Sequence, residues 1–246
     1  IIVGARPGMG KTSFILNIAR NVAVQQNRTV AIFNLEMSRE QMVNRLLSGE
    51  ARVPSKNLRT GMLSPDEWQR LGTASSILCK APIYLDETAT ITVPEMKARL
   101  RRLKNLSFVV VDYLQLMHGA KRTDNRVQEV SEITRSLKIM AKELDVPVMV
   151  AAQLSRSPEK QSGGSRKPGL SDLRESGSIE QDADQVLFIY RDDYYRNEQQ
   201  DPTAVSPNSS EIIVAKNRHG ELGSVPLAWQ GEFTQFLAVD NRPDNG

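Results

Sequence analysis

Short apolar runs alternate with amphipathic stretches over the first 153 residues of the chain. The apolar runs, rich in β-branched side chains, predict strands at residues 1–3, 30–35, 83–86, 108–112 and 146–153. Helical patterns begin near Ser13, Ser38, Ser64, Thr92 and Val127. Strands that alternate with helices in this way are typical of a mainly parallel, twisted sheet with helices on both faces. The predicted fold class is therefore α/β.

Three of the helix starts are marked by a capping box, in which a hydroxyl side chain and the side chain three residues later satisfy backbone N–H groups that lack helical partners. The pairs are Ser38 with Gln41, Ser64 with Glu67 and Thr92 with Glu95. Pro65 stands at the first position of the second helix, where its missing N–H is not needed. These signals predict where three of the helices begin.

The pattern changes after Gln153. Residues 154–170 are rich in Ser, Gly, Pro, Lys and Arg, which predicts a long mobile loop, and such loops inside a domain usually have a function. Four apolar runs follow with no long helical pattern between them, at residues 186–191, 212–216, 224–229 and 233–239. We expect these runs to form antiparallel strands that extend the sheet. Residues 192–210 predict a polar surface excursion, and residues 241–246 a frayed tail.

Length and composition fit a single folded domain over residues 1–246. Hydrophobic residues make up 39% and charged residues 25%, which is typical of a globular chain rather than a disordered one. The net charge of +3 is too small to indicate a nucleic-acid partner by itself. Aromatic residues make up only 5%, which disfavours a surface that stacks many bases.

Cysteine content and hydropathy indicate the cellular compartment in which we expect the protein. The lone cysteine, Cys79, excludes a disulfide framework within the chain and fits a reducing compartment, so we expect a cytoplasmic protein. No apolar run approaches the roughly 18 residues of a membrane span, so we expect no membrane partner. The chain opens in mid-strand without Met, which suggests a fragment of a longer protein.

The strongest chemical signal is a phosphate-binding loop (P-loop) between the first predicted strand and the first helix. Backbone N–H groups of such a loop cradle phosphates at a helix N-terminus. Lys11 is expected to reach the β- and γ-phosphates of a nucleoside triphosphate, and the Thr12 hydroxyl to coordinate Mg²⁺. A glycine-rich turn that only happens to precede a helix is the alternative. The loop, with Ala in place of the usual first glycine, and the helix start comprise Ala5, Arg6, Pro7, Gly8, Met9, Gly10, Lys11, Thr12 and Ser13.

Three polar residues at predicted strand ends complete the candidate site. Asp112 ends an apolar strand and is expected to support Mg²⁺, although an Asp there can also cap a turn. Glu36 ends the second strand, which is expected to lie beside the P-loop strand. It is expected to orient or deprotonate the attacking water, or alternatively to favour a helix N-terminus by its charge. Gln153 ends a central strand, where its amide can contact the γ-phosphate; a surface glutamine is the alternative.

Six segments resemble the DnaB family of bacterial replicative DNA helicases. The resemblance covers essentially the whole chain, as the C-terminal RecA-like motor domain of that family, without its N-terminal domain and linker helix. The longest segment is far more specific than a P-loop alone. The segments are GARPGMGKT at 4–12, NLEM at 34–37, DYLQLM at 112–117, AQLSR at 152–156, DLRESGSIEQDAD at 172–184 and KNRHG at 216–220.

The resemblance implies a hexameric ring that couples ATP hydrolysis to movement along single-stranded DNA. It assigns Gln153 to link the γ-phosphate with DNA-facing loops. Lys216 and Arg218 resemble the pair that reaches the ATP site of the neighbouring subunit, where an arginine stabilises transition-state charge. From the residues alone, a solvated pair near a turn is favoured instead. Primase and a helicase loader are further partners that the resemblance implies.

For DNA, the resemblance points to Arg174, Glu175 and Gly177, which match the family's strand-contacting loop. Arg174 would bind a phosphate through its guanidinium, Glu175 would act through its backbone N–H or hold a basic neighbour, and the Gly177 N–H can approach a phosphate closely. Basic residues on neighbouring loops would deepen a positive channel, with solvated side chains as the alternative: Arg122, Arg156, Arg166 and Lys167, with Lys121, Arg126 and Lys160. These loops lack aromatic residues, so we expect binding that follows the backbone with little sequence preference.

An ATP-driven DNA helicase motor is therefore the leading hypothesis. A RecA-like recombinase that forms filaments shares the P-loop, Glu36 and the loops. A nucleotide-gated scaffold would use ATP only to control assembly. A small-molecule kinase is the weakest alternative, because the sequence shows no acceptor pocket or phosphate-clamping lid.

Overall fold

The computed structural model describes residues 1–119, 125–154, 167–173, 177–191 and 209–239, and within them one nine-stranded sheet. The strands are β1 Ile2–Ala5, β2 Thr29–Asn34, β3 Ile83–Asp86, β4 Leu106–Asp112, β5 Val148–Gln153, β6 Gln185–Arg191, β7 Ser209–Asn217, β8 Gly223–Gln230 and β9 Gln235–Ala238. The helices are α1 Lys11–Arg20, α2 Arg39–Ala51, α3 Ser55–Thr60, α4 Pro65–Leu78, α5 Val93–Leu100, α6 Arg126–Leu144 and α7 Gly177–Asp182. A π-helical turn covers Asn21–Gln25, and 3₁₀ turns cover Leu114–Leu116, Leu170–Asp172 and Gly231–Phe233.

The strand order is β3-β2-β4-β5-β1-β6-β7-β8-β9. The expectation that the second strand lies beside the P-loop strand is wrong, because β4 and β5 pair in between β2 and β1. The six strands from β3 to β6 in this order are parallel, and β7, β8 and β9 continue the sheet in antiparallel pairs. The predicted parallel sheet with antiparallel C-terminal strands is confirmed. We call the side of the sheet where the parallel strands finish, at Ala5, Asn34, Asp112 and Gln153, the carboxyl end, and the opposite side the amino end. Parallel topology gathers the residues that follow these strands at the carboxyl end.

The structure differs from the predicted bounds in several places. The run at 233–239 becomes a strand only at Gln235, because Gly231–Phe233 first forms a 3₁₀ turn. β7 begins at Ser209, inside the predicted surface excursion. The sequence did not predict α3 and α7, since six residues are too few to show a helical period. Most of the loop predicted at 154–170, the rest of the excursion and the tail at 241–246 lie outside the described residues.

The predicted capping residues are found at the starts of α2, α4 and α5. At α2 the Gln41 N–H donates to Ser38 Oγ at 3.3 Å, and the Ser38 N–H donates to Gln41 Oε1 at 3.0 Å. The box at Ser64 makes the same two bonds. At α5 the Glu95 carboxylate accepts hydrogen bonds from both the N–H and the hydroxyl of Thr92. Each helix therefore starts where its polar side chains satisfy the first free N–H groups.

Each face of the sheet has its own hydrophobic core. Alternate residues of β1 show the division, because Ile2 belongs to the core beneath α5 and α6, whereas Val3 belongs to the core beneath α1 and α2. β1 is buried along its whole length, as expected for a strand covered on both faces. In the part of the chain that the structure describes, none of the helices has both the length and the apolar character that crossing a membrane needs.

Phe188 packs β6 closely against β1. Its side chain is fully buried, and its ring atoms lie 2.7 Å from the position that a Cβ would take on Gly4. We expect Phe188→Ala to lower the free energy of unfolding by about 3–5 kcal/mol, because a large buried ring is lost and a cavity remains. Urea denaturation measures the change. Trp68→Ala is the control, since Trp68 is 61% exposed. Equal losses in the two variants would contradict this account of the core.

Candidate functional site

The loop between β1 and α1 has the backbone that phosphate binding requires. Gly8 and Gly10 have φ values of 79° and 91°, in the left-handed region that favours glycine. The Met9 N–H donates to the Arg6 carbonyl at 3.3 Å, and α1 begins at Lys11. A loop that leads from a strand end into a helix N-terminus presents backbone N–H groups to an anion. The structure thus places the predicted P-loop at the carboxyl end of the sheet.

The side chain of Lys11 lies close to two acids and an aromatic ring. Its Nζ is 4.3 Å from the centre of the Tyr113 ring, which is a cation–π contact. Burial lowers the pKa of Lys11 below its usual value, and the negative charges of Asp112 and Glu36 oppose this change. A phosphate near Nζ would stabilise the charged form further. This placement fits the predicted contact with the β- and γ-phosphates.

Asp112 is fully buried at the end of β4, and one of its two carboxylate oxygens accepts a hydrogen bond. Thr12 Oγ1 donates to Oδ2 at 2.6 Å, whereas Oδ1 is buried without a hydrogen-bond partner among the described residues. Burial raises the pKa of Asp112 above its ordinary value, and the Thr12 bond and the charge of Lys11 act in the opposite direction. A buried carboxylate oxygen without a partner is unfavourable unless a cation meets it.

Thr12 and Asp112 fit the chemistry of Mg²⁺. This ion prefers oxygen ligands, keeps several waters, and is usually held by one or two carboxylates together with substrate phosphates. Within the described ranges no group of three or more His, Cys, Asp or Glu side chains is placed to hold a metal by itself. A site that combines one hydroxyl, one carboxylate and phosphate oxygens agrees with both points.

Glu36 is held at the end of β2 by its neighbour Asn34. The Oδ1 of Asn34 accepts hydrogen bonds from the backbone N–H groups of Glu36, at 2.9 Å, and Met37, at 2.7 Å. The Leu35 N–H donates to the Asp112 carbonyl at 2.7 Å, which ties this turn to β4. The Glu36 side chain is exposed, and its negative charge contributes to the raised pKa of Asp112. An exposed carboxylate beside the metal and phosphate positions is well placed to meet a water molecule.

Gln153 ends β5 next to the P-loop, since it pairs in register with Ala5 of β1. Gln115, in the turn that follows β4, fixes the backbone of Gln153. Its Oε1 accepts from the Gln153 N–H at 3.0 Å, and its Nε2 donates to the Gln153 carbonyl at 3.1 Å. The side chain of Gln153 therefore starts from a fixed point beside the loop. Sequence reasoning did not single out Gln115, whose signal is its place three residues after Asp112.

Arg45 is a further cation at this site that the sequence analysis missed. It is half-buried on α2, next to the buried Leu46 and three residues after the buried Met42. Burial lowers the pKa of Arg45, and the charges of Asp112 and Glu36 oppose the change. Its guanidinium has no hydrogen-bond partner among the residues described, so it is available to a phosphate oxygen. The signal was an arginine within the apolar stripe of an amphipathic helix, where a solvated charge is not expected.

Lys216 and Arg218 lie at the other end of the sheet. β6 runs parallel to β1, whereas β7 runs antiparallel to β6, with Gln185 opposite Asn217. β7 therefore finishes at the amino end. The seven residues of β6 separate the two ends by about 20 Å. The structure thus places this pair of cations well away from the Lys11 side of the same subunit.

Most of the predicted DNA contacts fall outside the described residues. These are Arg122, Arg156, Arg166, Arg174 and Glu175, with Lys121 and Lys160. Gly177 is the first residue of α7. Lys167 pairs with Glu211, its Nζ lies 5.8 Å from the centre of the Tyr190 ring, and its side chain is 60% exposed. A phosphate would therefore compete with Glu211 for this ammonium group.

Arg126 has local contacts at the start of α6. Its Nη1 donates to the Met117 carbonyl at 3.1 Å, and its Nη2 to the Gln115 carbonyl at 2.9 Å. It also pairs with Glu129 at 2.5 Å. These contacts attach α6 to the turn after β4, so Arg126 is held by the protein rather than extended into solvent.

Comparison with known proteins gives a consistent match along the chain. The family model described as DnaB-like helicase C terminal domain matches residues 1–238. The replicative DNA helicase DnaB of Geobacillus stearothermophilus is 50% identical over 248 aligned positions, which cover 99% of this chain and 53% of that protein. The replicative DNA helicase DnaC of Bacillus subtilis (strain 168) is 49% identical over 249 positions, which cover 100% and 53%. The chain spans about half the length of these relatives.

Solved structures agree with the sequence comparison. A DnaB-like replicative helicase, described together with its interactions with primase, has a TM-score of 0.89 at 35% identity, over 97% of this chain and 57% of that one. A second solved structure, described as an ATPase domain, also has a TM-score of 0.89 at 35% identity, over 97% of this chain and 84% of that one. The similarity therefore extends to both sequence and fold.

Proposed function

The chain belongs to the family of DnaB-like helicase C-terminal domains, and on this premise we propose that it is the ATP-hydrolysing motor of a replicative DNA helicase. Water attacks the γ-phosphorus of ATP, ADP leaves, and the cycle moves the protein along single-stranded DNA. The observation that carries the proposal is the meeting of the P-loop, Asp112 and Glu36 at the carboxyl end of the sheet. The active form is a homo-hexameric ring in the cytoplasm, with primase and a helicase loader as further partners.

ATP binds through its phosphates at the start of α1. The backbone N–H groups of the loop surround the phosphates, and the Lys11 ammonium contacts the β- and γ-phosphates. Mg²⁺, held by Thr12 and Asp112, would neutralise the charge that develops on the transferred phosphate. The residues that contribute to phosphate binding are Ala5, Arg6, Pro7, Gly8, Met9, Gly10, Lys11, Thr12 and Ser13.

Glu36 orients the attacking water and takes up its proton. The two hydrogen bonds from Asn34 to the turn set the position of its backbone, and its exposed carboxylate faces solvent from which water can enter. Gln153 contacts the γ-phosphate beside the P-loop. It thereby links the loss of that phosphate to the segment that continues from β5. Gln153 lies beside the P-loop because β5 pairs with β1, and Glu36 lies beside Asp112 because β2 pairs with β4.

Lys216 and Arg218 act on the ATP site of a neighbouring subunit. Because they lie at the amino end of their own sheet, about 20 Å from the P-loop, they cannot reach the phosphates of their own subunit. An arginine that enters from a neighbour stabilises the charge of the transition state. This geometry, rather than the residues alone, favours a shared site over a solvated pair.

Single-stranded DNA is held mainly through its phosphates. We assign this contact to the basic residues and to the backbone of the strand-contacting loop, namely Arg122, Arg156, Arg166, Lys167, Arg174, Glu175 and Gly177. Phosphate contacts carry little sequence information, so the ring can move along any sequence. The loops lack aromatic residues for base stacking.

The test is ATP turnover with and without single-stranded DNA, alongside DNA affinity as a function of salt. We expect DNA to stimulate turnover, and the logarithm of the binding constant to fall with the logarithm of salt by about 0.7 per phosphate neutralised. ATP turnover that DNA does not stimulate would favour a nucleotide-gated scaffold. DNA binding that does not depend on salt would contradict phosphate contact. Electron microscopy with ATP and DNA separates closed rings from the open filaments of a recombinase.

A further inference from the structure

The charged groups of Lys216 and Arg218 are held by the segment that precedes β6. The Arg218 N–H donates to the Asp184 carbonyl at 2.9 Å, and its Nη1 lies 3.5 Å from Asp184 Oδ1. Its Nη2 donates to the Gln181 carbonyl, and Lys216 Nζ donates to the Glu180 carbonyl. Both cations therefore rest on the last turn of α7 and the residues just after it.

The sheet itself brings Asp184 and Arg218 together. β6 begins at Gln185 and β7 ends at Asn217, and these two residues are partners in the antiparallel register. Asp184 and Arg218 are the next residues beyond that pair. Their proximity therefore follows from the backbone, and the side chains meet without any rearrangement of the fold.

A second cation fixes the carboxylate of Asp184. Lys138 of α6 pairs with Oδ2, while Arg218 approaches Oδ1. The hydrogen bond from Lys138, and the charges of Lys138 and Arg218, hold the pKa of Asp184 below its usual value against the effect of burial. The carboxylate is therefore ionised at neutral pH and attached to α6, which gives Arg218 a fixed partner.

We propose that Asp184 is the positioning residue for Arg218, and that it orients the guanidinium toward the ATP site of the adjacent subunit. This inference rests on the proposed function, in which Arg218 acts between subunits. A guanidinium is a rigid plane with five N–H donors, so contacts to Asp184 and to the Gln181 carbonyl set its orientation. The Arg218 side chain is 44% exposed, and its Nε has no partner in the described part of the chain. Donors therefore remain for a phosphate.

Asp184→Asn in the assembled protein tests this role, because it removes the charge and keeps the shape. We expect kcat of DNA-stimulated ATP hydrolysis to fall about 10- to 100-fold, since a misplacement of about 1 Å in a catalytic group costs up to about 10²-fold. The KM for ATP should not change, because Arg218 stabilises the transition state. Asp184→Glu, which restores the carboxylate, should recover part of the rate. Asp66→Asn is the matched control, as Asp66 pairs with Arg70 at 3.2 Å on α4.

The double variant Asp184→Asn/Arg218→Ala distinguishes this role from the proposed function. If Asp184 acts through Arg218, the double variant hydrolyses ATP as slowly as Arg218→Ala alone. Losses that multiply, or a normal kcat in Asp184→Asn beside an impaired Arg218→Ala, would overturn the positioning role and leave the trans role standing. A normal kcat in Arg218→Ala would overturn the trans role itself.

Discussion

Replacing Glu36 with glutamine is expected to abolish most ATP turnover while ATP still binds. Glutamine has the same shape but cannot take up the proton of the attacking water, and positioned bases contribute about 10²–10⁴-fold to rate. The turn itself should survive, since Asn34 holds it through the backbone N–H groups of Glu36 and Met37. The expected result is therefore a large fall in kcat with an unchanged dissociation constant for ATP.

Steady-state turnover and equilibrium binding of a fluorescent ATP analogue measure the two quantities separately. Glu40→Gln is the matched control, because Glu40 is an exposed glutamate in the first turn of α2 and its replacement removes the same charge nearby. Turnover that Glu36→Gln leaves unchanged would remove Glu36 from the mechanism. Lost ATP binding would instead mean that the substitution disturbs the site.

Arg218→Ala should have an effect at least as large, but only in the assembled protein. Arginines that enter a neighbouring NTP site contribute about 10³–10⁵-fold to rate, since they stabilise charge that develops in the transition state. ATP binding to the isolated subunit should be unaffected, because Arg218 lies at the amino end of the sheet. Arg99→Ala is the control for loss of an exposed arginine paired with an aspartate, here Asp86.

Mixed assemblies test whether the defect acts between subunits. Lys11→Ala subunits lack the lysine that contacts their own ATP but keep Arg218. Arg218→Ala subunits keep Lys11 but lack the arginine that acts on the neighbouring site. In a mixture, some interfaces combine an intact Lys11 with an intact Arg218, so turnover should reappear. Mixing Arg218→Ala with the double variant Lys11→Ala/Arg218→Ala offers no intact interface and should stay inactive. No gain in the first mixture would weaken the trans assignment.

The sequence predicted the architecture and the carboxyl end of the site because both follow from local patterns. Alternating strands and helices imply parallel strands, and parallel strands finish side by side. Polar residues at or just after the ends of such strands therefore lie at the same end of the sheet, as Glu36, Asp112 and Gln153 do. The P-loop glycines could be predicted for a similar reason, since the loop needs positive φ values at those positions.

The missed residues depend on contacts between distant parts of the chain. Arg45 reaches the site only because α2 packs against the sheet at one rotation, and a helical pattern does not reveal which carboxylate a side chain faces. Gln115 acts through the backbone of Gln153, 38 residues away. The alignment of Asp184 with Arg218 depends on the register of β6 and β7, which no local signal specifies.

The comparison with known proteins shows the family of the chain, which the residues alone left open. The P-loop, Glu36 and the loops fit a recombinase and a scaffold as well as a helicase. The match to DnaB-like helicase C-terminal domains over residues 1–238 places the chain in that family, and for this reason we propose a helicase motor rather than the other two. The roles of individual side chains remain for the substitutions above to test.

The placement of the P-loop and Arg218 at opposite ends of one sheet also constrains assembly symmetry. If Arg218 acts on a neighbouring subunit as proposed, a dimer that joins two carboxyl ends would complete no site. A heterologous, head-to-tail contact brings one subunit's arginine to the next subunit's phosphates, and such contacts either close into rings or continue as helices. Each subunit then serves two sites, so a subunit lacking both Lys11 and Arg218 would silence two adjacent interfaces.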